Sequence, residues 1–179
     1  MRKIIFISLI ISFLTLPAVF SEDGKDAAND SKTQTEKVNA FLDKFIGKWQ
    51  FEDTYVEEAV ISTVEFQRVL EDKFIKGDLV SKSKENNEVV VKKTIYFNYN
   101  PTASKVLYFS LASDGWIFQY MGNYDAEMFK LQGVTQKGMD FFSWKFKSDD
   151  EIERAYFEPS TKFPDWSKPD KVTVLKKLK

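Results

Sequence analysis

VVVKKTIYFNYNPTASKVLYFSLASDGWIFQYMG, residues Val89 to Gly122, reads as three consecutive β-strands joined by two tight turns. Eight aromatics fall within it (Tyr96, Phe97, Tyr99, Tyr108, Phe109, Trp116, Phe118 and Tyr120), and aromatic and β-branched residues suit a pleated, half-buried surface. Asn-Pro within Asn98 to Ser104, and Ser113-Asp114-Gly115, carry the residues that open turns and tolerate positive φ. Three strands with one apolar face are not stable alone, so the flanking sequence must supply more of the same sheet.

It does so on both sides. From Gly47 onward the apolar period is two: Trp49, Phe51 and Tyr55; Val60, Val64, Phe66 and Leu70; Ile75 and Leu79; Phe129 and Leu131; Phe142, Trp144 and Phe146; Ile152 and Tyr156; Val172 and Val174. Turn signals separate these runs at Glu71-Asp72-Lys73, Lys84 to Asn87, Asn123-Tyr124-Asp125, Lys137-Gly138 and Ser148-Asp149-Asp150. The pattern predicts an all-β fold, an antiparallel up-and-down β-barrel of about eight to ten strands, since closure removes the exposed edges of a long sheet. Ahead of it, Val38, Phe41, Leu42, Phe45 and Ile46 form one helical stripe, with Gly47 placed to end it. So short a helix needs packing to be stable, and it reads as a lid or plug against the sheet.

Arg2 and Lys3, the uncharged run Ile4 to Leu16, Pro17 and the small-residue site at Val19-Phe20-Ser21 have the layout of a secretory signal peptide over residues 1–21. Residues 22–36 contain no large apolar side chain and read as a flexible, solvated linker, leaving 37–179 as one domain. Cleavage after Ser21 predicts an exported protein, periplasmic or secreted, with no stable membrane anchor. The absence of cysteine excludes both a lipidated N-terminus and disulfides, so the core alone must hold the fold. The remaining 158 residues carry a formal charge of −3, a balance that implies neither nucleic acid nor an acidic membrane surface as partner.

Histidine is also absent. No Ser-His-Asp or Cys-His nucleophile system can be assembled, no ordinary zinc, copper or iron site is expected, and no glycine-rich phosphate loop is present. Acidic clusters at Glu57-Glu58, Asp125-Glu127 and Asp149 to Glu153 fall at turns, where solvated carboxylates are usual. The expectation is therefore no cofactor and no enzymatic activity. Only Arg68 and Arg154 are arginines in the mature chain, and each shares strand parity with large apolar neighbours. A guanidinium so placed either grips the acidic head of a ligand or is used structurally, stacked on an aromatic or paired with an acid at the rim.

Leu42-Asp43-Lys44-Phe45-Ile46-Gly47-Lys48-Trp49, a helix followed by Gly-x-Trp opening a meander, resembles the calycin superfamily of lipocalins and fatty-acid-binding proteins. With strands ending in Gly122-Asn123-Tyr124-Asp125, it is similar to uncharacterised exported bacterial lipocalin-like domains. The resemblance implies that Trp49 closes one end of the barrel beneath a late-strand arginine, here Arg154. Haem-binding relatives place a histidine on iron, so that activity is not implied. The ligand-binding candidates are Arg68, Phe66, Phe97, Phe109, Trp116, Phe118, Tyr120, Trp144 and Tyr156, for a small hydrophobic or acidic, lipid-like molecule held non-covalently. The aromatics either line a cavity or fill the barrel. In the second case the protein is an envelope interaction or structural domain. Outward apolar residues, among them Val106, Tyr108, Ile117, Met121 and Phe141, then offer a partner or homodimer face.

Overall fold

A computed structural model of the chain describes residues 24–179 apart from 126, 136, 137 and 161; the side chains of residues 24–31 and of Thr135 are also outside the description. The signal-peptide segment lies outside the described residues. Among the described residues one helix, α1 (Gly24–Asp43), precedes ten strands: β1 (Gly47–Tyr55), β2 (Glu58–Val69), β3 (Phe74–Ser83), β4 (Val89–Asn100), β5 (Lys105–Ala112), β6 (Ile117–Asp125), β7 (Met128–Thr135), β8 (Gly138–Ser148), β9 (Glu151–Ser160) and β10 (Lys171–Lys177). Each strand pairs antiparallel with the next, and β10 pairs back onto β1. The chain is thus the closed up-and-down barrel that the period-two pattern predicts.

Odd-numbered strands run toward one end of the barrel, here called the mouth, and even-numbered strands return toward the other. The helix stoppers that other end. Val38, Phe41, Leu42 and Phe45 are buried as the stripe requires, with Phe45 fully enclosed among Phe66, Phe97, Phe129, Trp144 and Phe146. Burying each such side chain contributes about 1.5–3 kcal/mol. Trp49 is also fully buried and donates from Nε1 to the Phe45 carbonyl at 2.7 Å, satisfying a carbonyl just past the helix C-terminus. Arg68 fastens the same end: its guanidinium reaches Asp43 at 2.7 Å, the Asp72 carbonyl at 2.6 Å and the Asn39 carbonyl at 3.3 Å. A cation at the C-terminus of α1 also suits the helix dipole.

Several details differ from the sequence reading. Residues 24–36 are helical rather than a flexible linker; Ala, Lys, Gln and Glu there are good helix formers, and the side chains of Lys32, Thr33, Glu36 and Lys37 remain exposed. Ile46 follows the helix and is exposed, at 38%. Asn123-Tyr124-Asp125 continues β6 instead of turning. The β1–β2 turn is Val56-Glu57, with φ of 47° and 69°, a left-handed pair built without glycine or asparagine. On β5 the inward residues are Val106, Tyr108 and Ser110, which puts Phe109 on the outer face and reverses the expected orientation of Val106 and Tyr108. Phe141 does face outward, but it is fully buried beneath Phe163 and Trp166 of the β9–β10 connection.

The closing seam is narrow. β1 and β10 are in register at two residue pairs, Trp49 with Lys177 and Gln50 with Lys176. Toward the mouth they are joined through side chains, by an ion pair between Asp53 and Lys171 at 2.5 Å.

Candidate functional site: a cavity in the mouth half of the barrel

Above the aromatic plug the barrel is open, enclosing a cavity of about 410 Å³, within the range that holds one small organic molecule. Its two sides differ. Residues of β6 to β9 present Phe118, Tyr120, Leu131, Phe142, Trp144 and Tyr156, whereas β1 to β5 and β10 mix apolar side chains such as Val60, Leu79 and Ile95 with the hydroxyls of Ser62, Ser81, Ser110 and Thr173 and three of the charges. Ser62 and Ser81, opposite each other on β2 and β3, share a hydrogen bond of 2.7 Å.

Five ionisable side chains other than tyrosine line the cavity: Asp53, Lys93, Asp140, Arg154 and Lys171. Asp53 accepts from Arg154 at 2.6 Å, Lys171 at 2.5 Å and its neighbour's backbone N–H at 2.8 Å. Burial pushes the Asp53 carboxyl up, but the Lys171 hydrogen bond, the Arg154 charge and the Thr54 N–H outweigh it and hold it below the usual carboxylate range. The Arg154 guanidinium also lies over the rings of Phe51 and Trp144, at 5.2 and 5.8 Å.

Lys93 is different. Its ammonium sits 4.6 Å over the ring of Tyr55, and among the described residues no carboxylate lies within ion-pair distance of it. Burial lowers its pKa, and the like charge of Arg154 lowers it further against the weaker pull of Asp114 and Asp53. Tyr55 hydrogen-bonds Asp114 across the mouth, and burial together with that bond pushes its phenol up to about 12. Tyr156 is pushed to about 12 by burial and then by the charges of Asp140 and Glu158, so both phenols remain protonated donors at neutral pH.

Asp140 faces the aromatic side. Its Oδ2 accepts from Tyr120 at 2.6 Å while Oδ1 is buried without a partner. Burial raises its pKa; the hydrogen bonds of Tyr120, the Phe141 N–H and Tyr156 draw it back only partly. An acid whose folded pKa is raised stabilises the fold when protonated, and that contribution disappears as pH rises through the folded value. Asp140→Asn is therefore expected to raise the melting temperature at neutral pH by about 2–4 °C, and to change it little near about pH 3. Calorimetry across that range checks the sign, and a stabilisation independent of pH contradicts it. Three cations, Lys93, Arg154 and Lys171, face two carboxylates in the cavity, which leaves an excess of positive charge there.

The predicted residues distribute as follows. Phe118, Tyr120, Trp144 and Tyr156 line the cavity; Phe66 and Phe97 lie below it, fully buried in the plug. Arg68 is at the plug end, held by Asp43, and does not reach the cavity. Phe109 is on the outer face, and Trp116, 63% exposed at the rim, stacks on Phe118 with centroids 6.1 Å apart. Trp49 closes the plug end, but the cation over its ring is Lys177, at 5.1 Å; Arg154 is higher up the barrel, paired with Asp53. Asp53, Lys93, Asp140 and Lys171 were not among the candidates. The signal for them was parity: Asp53 lies between Phe51 and Tyr55 on one face, Lys93 between Val91 and Ile95, and Asp140 two residues before Phe142.

A ten-stranded meander closed on itself, stoppered by a helix and open at the far end, is an up-and-down β-barrel with an interior cavity. The chain shares this fold with the S-type phycobiliprotein lyase CPES from Guillardia theta, with a TM-score of 0.51 over 79% of this chain and 93% of that one and 14% sequence identity. At that identity the likeness is one of fold. No family model matches the sequence, and no curated protein does.

Proposed function

We propose that the protein is an exported, non-catalytic carrier that holds one small amphipathic molecule non-covalently in the mouth half of its barrel, with the molecule's acidic head at Lys93. The observation that carries this reading is a partly buried ammonium, in a cavity with aromatic walls, for which no carboxylate among the described residues lies within ion-pair distance. A ligand carboxylate, sulfonate or phosphate provides the missing acceptor, and a charge-assisted hydrogen bond of this kind contributes about 1.5–3 kcal/mol. Arg154 and Lys171 are already committed to Asp53 and add field rather than a free donor. The carrier reading rests also on a sequence without histidine or cysteine. Export rests on the pattern of residues 1–21, and protein recovered from the medium or periplasm should begin at Glu22.

Lys93→Met preserves the stem of the side chain and removes the charge. It is expected to weaken binding of an acidic amphiphile at least about tenfold while leaving its methyl ester nearly unaffected. Titration calorimetry on both ligands checks this, and equal losses for acid and ester take Lys93 out of the account. The second reading, an envelope or homodimer contact, is supported by the outer face of β5 and β6, where Leu111, Ile117 and Met121 are 45%, 69% and 46% exposed. It requires sedimentation as a dimer that an Ile117→Asp change abolishes.

A further inference from the structure

The proposed reading leaves the ligand's shape open, and the cavity's dimensions narrow it. The floor is set at the level of Phe51 and Trp144 and the mouth at Tyr55. From Phe51 to Tyr55 is four residue steps, about 13 Å along the strand at about 3.3 Å each and about 10 Å along the barrel axis after strand tilt. Below the floor, Phe45, Phe66, Phe97 and Phe129 are fully buried and fill the barrel. An extended long-chain acyl group has nowhere to go.

The width tells the same story. Tyr120, Phe142 and Tyr156 form a continuous aromatic wall, with successive centroids 5.1 and 5.2 Å apart and ring planes inclined at 83° and 51°. Such a wall presents both ring faces and ring edges, which another aromatic ring can engage edge-to-face or offset, each contact contributing about 0.5–1.5 kcal/mol beyond its buried area. A polymethylene chain gains the area alone. Opposite this wall the hydroxyls of Ser62, Ser81, Ser110 and Thr173 are interspersed with Val60, Leu79 and Ile95, and these hydroxyls can hydrogen-bond polar ring substituents.

We infer that the ligand is a compact, ring-bearing aromatic acid, its ring laid against the β6–β9 wall and its acid group turned to Lys93. This rests on the carrier reading above and specifies its ligand class.

Pyrenecarboxylate and palmitate are well matched in apolar carbon content and differ in shape, and pyrenemethanol is the neutral counterpart of the first. With the full mature chain stripped of bound lipid, calorimetric titration is expected to give one site for pyrenecarboxylate, at least about tenfold tighter than palmitate and about tenfold tighter than pyrenemethanol. Phe142→Leu, which keeps the wall apolar but removes a ring, should weaken pyrenecarboxylate severalfold and leave palmitate unchanged. Palmitate binding as tightly as pyrenecarboxylate overturns the ring-bearing class and leaves the acidic carrier standing. Pyrenemethanol binding as tightly as the acid overturns the orientation toward Lys93. Absence of binding by either acid removes the carrier reading itself.

Discussion

Phe45→Ala is expected to cost the barrel about 3–5 kcal/mol, a large part of the about 5–15 kcal/mol that holds a domain together. The ring is fully buried, with centroids at 5.5 Å from Phe66, 5.1 Å from Phe97, 6.1 Å from Phe129, 5.7 Å from Trp144 and 4.9 Å from Phe146. Removing it deletes the apolar transfer term and leaves a void whose walls, supplied by separate strands of a closed sheet, cannot move inward together. It also unseats Phe41, whose ring is 5.9 Å away on α1. Denaturant unfolding should show a lower midpoint at an unchanged slope. A loss below about 1 kcal/mol would mean that the helix is an accessory and not the stopper of the barrel.

Gly122→Ala should be at least as damaging, for a different reason. A Cβ built at this position meets the Lys130 carbonyl oxygen at 1.8 Å, its carbon at 2.7 Å and the Leu131 Cα at 2.8 Å, all backbone atoms of the neighbouring strand. No side chain can turn aside to make room, so β6 and β7 must separate where Gly122 stands opposite Leu131. A barrel lacking one ladder is an open sheet with two edges, and such edges aggregate. The expected result is insoluble protein, or soluble protein without the near-ultraviolet signal of packed aromatics. Gly115→Ala is the control: nothing lies within 4 Å, and its φ of 90° costs only about 1 kcal/mol. A Gly122→Ala protein as stable as the Gly115→Ala protein would refute the close approach of β6 and β7.

The barrel was readable in the sequence because one face of nearly every strand is apolar, and an apolar alternation cannot be satisfied by any other repeating structure. The plug was readable for the same reason at helical spacing. What escaped reading is where neighbouring cues cancel or where register decides. Tyr108 and Phe109 are adjacent aromatics, so β5 has no alternation at that point, and only its pairing with β4 and β6 turns Tyr108 inward. Arg154 and Trp49 are both inward, but the register of β9 and β10 sets Arg154 beside Thr173, whereas Trp49 is level with Lys177; the two never meet. The cavity charges were hidden by their ordinariness. Lysine and aspartate are common on any strand, and what distinguishes Lys93 is that no carboxylate among the described residues lies within ion-pair distance, a property of three dimensions.

The seam between first and last strands has a mechanical meaning. Two residue pairs stitch it at the stoppered end, and toward the mouth Asp53, held by Lys171 and Arg154, ties the first strand to the tenth and ninth. Charges part more readily than a ladder of main-chain bonds when ions or a competing anion arrive. The mouth half of the seam should therefore loosen with rising salt before the stoppered end does, where main-chain bonds hold it.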